Sequence, residues 1–203
     1  MSTVVIYTSQ SGNTAKVADA IYDAIPDKDK EITTIENWNG KTDADTWFVG
    51  FWINRGTCGL DVCDLLDRLS GKRIALFATC GMHDENGYFD SIRSSCSVWV
   101  PDDAQYLGFY LCQGKMPMAV RRRYEEKKEE LKERENSPDG KMSAEEAARR
   151  EKELERLIAN FDNALLHPDD EDLKNAADFA EKCLEKQEAL DPVGSYASFR
   201  LIF

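Results

Sequence analysis

Ser9-Gln10-Ser11-Gly12-Asn13-Thr14 decides the fold because of what stands on either side of it. Before it, Thr3-Val4-Val5-Ile6-Tyr7-Thr8 is short, β-branched and apolar with no helical period, which is the pattern of a buried strand. After it, Val17, Ala18, Ile21, Tyr22 and Ile25 recur at helical spacing. The six residues are therefore a strand-to-helix turn. The first N–H groups of a helix have no intrahelical acceptor, so such a turn is an anion site. Ser9, Ser11 and Thr14 add hydroxyl donors beside Gln10 and Asn13, and Gly12 permits a positive φ and close approach of a ligand. The turn holds no Lys or Arg. A P-loop needs Gly-Lys-Ser/Thr and a dinucleotide fold needs Gly-x-Gly-x-x-Gly, and neither is present.

Working outward, strand and helix patterns alternate. Glu31–Ile35 is a short strand. Thr46–Trp52 is apolar throughout and is expected in the centre of a sheet. Leu60, Cys63, Leu65, Leu66 and Leu69 mark a second helix that stops at Ser70-Gly71. Arg73–Thr79 is a fourth strand, residues 86–98 a helix, and Gln105–Cys112 a fifth strand. Repeated βα units of this length build a doubly wound parallel sheet, an α/β fold. From Pro117 the composition changes. Val120, Tyr124 and Leu131 share a helical face amid Arg, Lys and Glu. Ser137-Pro138-Asp139-Gly140 is a turn signal, and Ser143 with Glu146 has the spacing of a capping box. Leu154, Leu157, Ile158, Phe161 and Leu165 continue as a stripe. The pattern predicts an αα-hairpin over about 118–166, inserted within one domain spanning 1–203. Asp169 or Asp170 caps a last helix that turns Leu173, Ala176, Ala177, Ala180 and Leu184 to the sheet. The end, Tyr196–Phe203, is unusually apolar and is expected to pack against some surface.

The formal net charge is −12. Residues 1–120 carry 10 positive and 16 negative groups, whereas 121–160 carry 12 of each. An acidic body argues against nucleic acid and anionic membranes and favours a basic protein partner. No stretch approaches the roughly 20 apolar residues of a membrane span. The chain opens on a strand, so no signal peptide and a cytoplasmic location are expected. Six cysteines without a Cys-x-x-Cys, and only two histidines, point to free thiols rather than a metal site.

Ligands of doubly wound sheets bind beyond the carboxyl ends of the strands. Here the loops at those ends are Ser9–Thr14, Trp52–Cys58, Thr79–Tyr88 and Cys112–Met116. The pattern Ser-x-Ser-Gly-Asn-Thr after a first strand resembles the FMN-phosphate loop of flavodoxins, where neutral donors alone hold the phosphate. The resemblance covers about residues 1–116 and 169–187 and implies strand order 2-1-3-4-5. It also implies FMN as the cofactor, with Trp52 and Ile53 against one face of the ring. Asn54 and Arg55 depart from the acidic or Gly-rich loops usual there. Gly56 is expected to let a peptide carbonyl turn towards flavin N5. Thr79, Cys80 and Gly81 would follow the pyrimidine edge, with His83 or Tyr88 as the covering aromatic. Lys115 faces the site or a partner. Residues 50–58, 76–81 and 109–115 further resemble an accessory flavodoxin-like branch paired with bilirubin reductase in anaerobic bacteria.

The function this implies is electron transfer from bound FMN to a partner reductase. An FMN-dependent quinone or small-molecule reductase, using Arg55, His83 and Lys115 for an anionic substrate, is the alternative enzyme. A non-redox module that docks through the hairpin is the third reading. Removal of 121–166 is expected to weaken partner coupling more than FMN binding.

Overall fold

A computed structural model describes residues 2–26, 28–135 and 142–190. Five strands, β1 (Thr3–Tyr7), β2 (Lys30–Thr34), β3 (Thr46–Trp52), β4 (Arg73–Cys80) and β5 (Gln105–Gln113), form one sheet in the order 2-1-3-4-5. All pairs are parallel. The helices are α1 (Asn13–Ala24), α2 (Leu60–Leu66, prolonged by a 3-10 turn), α3 (Tyr88–Ser97), α4 (Met118–Glu135), α5 (Ala144–Ala164) and α6 (Asp170–Leu190).

The period-2 pattern of the strands sorts side chains into two cores. Val4, Ile6, Trp47, Val49 and Phe51 meet Val62, Leu65 and Leu66 of α2 and Ile92 and Cys96 of α3. Val5, Phe48, Ala75 and Phe77 point the other way, onto Val17, Ala18 and Ile21 of α1 and Ala176, Ala180 and Cys183 of α6. Both faces are thus covered, as a parallel sheet requires. Two helical positions depart from expectation. Leu60 begins α2 but is 79 % exposed, because it lies in the first turn, ahead of the buried stripe. Leu165 falls just past α5 and is exposed, so the apolar stripe of that helix ends at Ala164.

β5 slips register against β4 between Ile74 and Ala75, which pair with Tyr106 and Gly108. Leu107 is the extra residue of this bulge. Gly108 has φ +147°, and a Cβ there would lie 3.3 Å from Phe179 Cε2 of α6, so the sheet and α6 approach closely here.

After β5 the chain runs into α4 and α5. Arg121 Nε pairs with Asp162 at 2.9 Å and Lys128 Nζ with Glu155 at 2.6 Å, tying the two helices together on their exposed side. Ser143 Oγ accepts the Glu146 N–H at 3.1 Å and caps α5, while the Glu146 carboxylate turns to Arg150. Asp169, not Asp170, caps α6. Its Oδ1 accepts the Asp172 N–H at 2.9 Å, and Asp172 Oδ2 accepts the Asp169 N–H at 3.0 Å, a reciprocal capping box. The turn signal at 137–140 and the apolar end at 196–203 lie outside the described residues. Among those described, no helix is long and apolar enough to cross a membrane.

Gly50, in the central strand, lies directly against the ring of Phe77 in β4. A Cβ there would lie 2.1 Å from Phe77 Cζ, and the fully buried ring has no room to withdraw. Gly50→Ala is expected to destabilise the fold by about 1–3 kcal/mol through overpacking. Thermal unfolding would register this as a drop of roughly 2–4 °C per kcal/mol in a chain of this size. An unchanged midpoint would show that the ring can shift.

Candidate functional site

The β1–α1 turn is built as an open donor cradle. Gly12 has φ +83° and stands at the N-cap of α1 with nothing within 4 Å of the place a Cβ would take. Ser9 Oγ accepts the Ala15 N–H at 3.3 Å, which anchors the loop to the first turn. The N–H groups of Gln10, Ser11, Gly12, Asn13 and Thr14 find no acceptor among the described residues. They are the orphan donors of a helix N-terminus together with those of the turn before it.

Not every side chain of this loop faces outward. The Asn13 amide is buried and donates to Ser11 Oγ and to the Lys115 carbonyl, both at 2.9 Å. Thr14 is also buried, with its hydroxyl 3.0 Å from that of Thr79 on β4. Thr14 was expected to offer its hydroxyl to an anion. The structure turns it inward instead, because a βα turn entering between two central strands has to satisfy its own inner polar atoms. Its backbone N–H remains outward.

The β3–α2 loop is fixed by hydrogen bonds on both sides. The Ile53 N–H donates to the Thr79 carbonyl at 2.9 Å, and Ile53 packs on the core beside Phe51. Asn54 and Thr57 then pair as an antiparallel bridge. Arg55 and Gly56 between them have φ +53° and +87°, the signature of a type I′ turn. Arg55 is exposed at the tip. The Gly56 carbonyl accepts from Ser95 Oγ of α3 at 2.6 Å.

These two loops enclose a cleft of about 330 Å³ at the carboxyl ends of β1 and β3. Ser9, Gln10, Trp52 and Asn54 of the expected residues line it. Thr8, Glu36, Gly59 and Asp61 complete the wall. Glu36 follows β2, the neighbour of β1, and accepts the Thr8 hydroxyl at 3.0 Å. The Glu36 carboxyl is held below the usual carboxylate range by its own backbone N–H, with the Thr8 and Thr34 hydroxyls adding to this against the cost of burial. The rule that ligands gather at strand ends would have found Glu36 had it been applied to the edge strand.

The β4–α3 loop does not line the cleft. Gly81 is pressed by Met116, whose sulfur occupies the space a Cβ would take. The Gly81 carbonyl accepts from Asn160 Nδ2 at 2.9 Å and from Gln113 Nε2 at 3.1 Å. His83 is bound by Asn160 through both its N–H and its ring Nδ1. Glu85 pairs with Arg156. Cys80 is buried, its Sγ donates to the Met82 carbonyl, and burial pushes its thiol up to about 12. Tyr88 opens α3 and packs on the core, which raises its phenol. Asn160 and Arg156 belong to α5. The hairpin therefore touches the loop directly, and removing 121–166 would strip that loop of its anchor. All six cysteines are free and buried.

A parallel sheet of order 2-1-3-4-5 covered by helices on both faces is the doubly wound flavodoxin-like architecture, and its switch point lies between strands 1 and 3. A sequence-family profile described as a flavodoxin domain matches residues 4–181, and the chain belongs to the flavodoxin family. Among curated proteins, it is 30 % identical over 189 residues to the flavodoxin-like domain-containing protein BilS of Clostridioides difficile, covering 92 % of this chain and 98 % of that one. It is 24 % identical over 193 residues to BilS of Clostridium symbiosum, covering 85 % and 90 %. Among solved structures, a flavodoxin from the domain Archaea superposes with a TM-score of 0.49 at 15 % identity, over 93 % of this chain and 99 % of that one.

Two outcomes test this geometry. Arg55→Gly is expected to be tolerated, whereas Arg55→Val, a β-branched residue in left-handed backbone, is expected to lose about 1–2 kcal/mol in urea unfolding. For Glu36 the folded pKa is depressed, so the carboxylate contributes stability above the usual value, and that contribution is lost as the pH falls through the folded pKa. Wild type should therefore exceed Glu36→Gln in stability near neutral pH, and the gap should begin to narrow as the pH falls below the ordinary glutamate value of about 4.3 and vanish below the folded pKa. A gap independent of pH would assign the effect to packing.

Proposed function

We propose that this chain is an electron carrier that binds FMN non-covalently and delivers electrons to a partner reductase. The observation that carries the reading is the row of unpaired N–H groups from Gln10 to Thr14, which begins at the edge of the cleft that Ser9, Gln10 and Trp52 line. These donors and the exposed Ser11 hydroxyl would hold the phosphate, with Gly12 allowing its close approach. Trp52 would flank the ring. Ser9 and Asn54 hold the two loops that frame the cleft. Glu36 and Asp61 disfavour anions within it, so a phosphate would sit apart from them, on the α1 side. When bound, FMN supplies the one-electron and two-electron chemistry, and the protein supplies orientation, electrostatics and access.

The family supports a flavin ligand, and the sequence likeness to the branch paired with bilirubin reductase supports a reductase as the partner. His83 stands against the self-sufficient reductase reading, since Asn160 takes up its Nδ1 and it does not line the cleft. A cytoplasmic setting suits six buried free thiols.

The purified protein is expected to carry a flavin spectrum, to be reduced by dithionite and to leave NAD(P)H unoxidised without an added reductase. Steady NAD(P)H oxidation by the protein alone would favour the enzyme, and no affinity of the refolded chain for FMN would overturn the reading. Gln10→Glu, isosteric and exposed, places a charge in the donor nest. It is expected to weaken FMN about tenfold, or ~1.4 kcal/mol, while leaving riboflavin, which has no phosphate, unaffected. Equal loss of both flavins would show that the phosphate does not lie in this turn.

A further inference from the structure

Residues 121–160, which hold most of α4 and α5, carry 12 basic and 12 acidic groups, yet the fold sorts these charges by face. On one face they cancel. Arg121 pairs with Asp162, and Lys128 Nζ lies 3.7 Å from Glu151 and 2.6 Å from Glu155. Another face holds a groove of about 340 Å³ between the two helices. Leu131, which is buried, and Leu154, which is half-buried, give it an apolar floor. Lys127, Arg134 and Arg150 stand around them, with Glu130 and Glu153. Lys127, Leu131 and Arg134 follow one another at i, i+4 and i+7, so α4 turns all three to the same side.

A second hollow of about 460 Å³ continues the first and shares Arg150 and Glu153 with it. Arg149, Lys152 and Arg156 line this part, at i, i+3 and i+7 on α5. The two hollows together hold six basic side chains against two acidic ones. Arg150 is paired with Glu146, and Arg156 with Glu153 and Glu85. Lys127, Arg134, Arg149 and Lys152 are exposed and meet no carboxylate among the described residues.

The sign of this groove is opposite to that of the rest of the molecule. The formal net charge is −12 and residues 121–160 sum to zero, so the acidity belongs to the body. A nucleic acid or an anionic membrane is an extended polyanion, and it would bring its charge against the acidic body as well as the arm. A short acidic segment of a protein brings its charge to the groove alone. The floor adds a second requirement. Lys and Arg reach over the leucines on aliphatic stems and keep their charged ends in water, so the groove takes an apolar side chain between carboxylates. Its position is fixed too, since Arg156 at one end pairs with Glu85 of the β4–α3 loop, at the carboxyl edge of the sheet.

We propose that the groove between α4 and α5 is a docking site for an acidic, leucine-bearing segment of the partner protein. Lys127, Arg134, Arg149 and Lys152 receive its carboxylates, and Leu131 and Leu154 receive its apolar side chain. Such a segment would lead the partner to the edge of the sheet at which the ligand cleft opens. With an acidic body and a basic groove, the molecule presents two poles, and a partner of matching charges meets it in one orientation. The proposal rests on the reading of a protein partner and not on FMN.

The probe is a fluorescein-labelled oligoglutamate peptide with a central pair of leucines, titrated with the full-length protein at low salt and followed by anisotropy. Arg149→Glu with Lys152→Glu is expected to weaken it about tenfold or more. Arg122→Glu with Arg123→Glu makes the same change of charge at exposed positions outside the groove and should cost much less. Arg149→Ala with Lys152→Ala should show a smaller loss and serves if the glutamate variant does not fold. An all-glutamate peptide should bind more weakly than the leucine-bearing one. Carbodiimide coupling of the bound peptide should mark Lys127 and Lys152 and spare Lys128, which its own glutamates occupy. Equal loss in the two glutamate variants would assign the binding to net charge and overturn the proposal. So would coupling outside the groove, or a wild type that does not bind the peptide. Tighter binding of an oligouridylate of equal charge, or of phosphatidylglycerol vesicles, would overturn it in favour of those ligands. Anisotropy needs no flavin, so a chain without FMN affinity fails the cofactor reading while the peptide still decides this one.

Discussion

Val4 and Ile6 enter one layer of side chains and Val5 the other, because a parallel sheet has to be covered on both faces and each strand alternates between them. α1 and α6 close one side, α2 and α3 the other. With both faces sealed, the chain can change direction only at the strand ends, and the carboxyl ends collect the loops that enter helices at their N-termini. The donor-rich turn after β1 and the aromatic turn after β3 become neighbours for that reason, since β1 and β3 are adjacent although a strand and a helix separate them in the chain.

At that edge burial and polarity conflict. Loops packed against strand ends carry backbone groups that water no longer reaches, and each needs a partner. The chain solves this with side-chain amides and hydroxyls: Asn13 to the Lys115 carbonyl, Thr14 to Thr79, Ser95 to the Gly56 carbonyl, Asn160 to Gly81 and His83. What these partners leave over, chiefly the N–H groups of Gln10–Thr14, is what remains for a ligand. Binding capacity is here a residue of incomplete internal pairing, and it is anion-seeking because the residue consists of donors.

Strand positions were legible because β-branched and apolar runs have only one burial pattern at this length, and β3 was recognisable as central from Thr46 to Trp52 alone. The anion cradle was legible because its donors come from backbone at a helix start, which any sequence placing a strand, a Gly and a helix in succession exposes. The hydrogen-bond ties of the neighbouring loops were not. His83 and Gly56 were plausible ligand contacts by position, yet their partners, Asn160 and Ser95, stand 77 and 39 residues away. Long-range hydrogen bonds leave no periodicity, so neither Glu36 in the cleft nor Asn160 in a helix that otherwise reads as a solvated arm announces itself.

The sequence by itself determined that this is a doubly wound α/β chain of flavodoxin type with a donor-rich first turn and a helical insertion after β5. Those features depend on local chemistry: period, chain breakers and the unpaired N–H groups of a helix start. Only the tertiary structure decided which side chains of the turn face outward, and that the Gly56 carbonyl is occupied. It also decided that α5 packs back onto the β4–α3 loop. Each of these depends on which polar group finds a partner across the closed sheet, and that is settled by the distances between elements, which no stretch of the chain encodes alone.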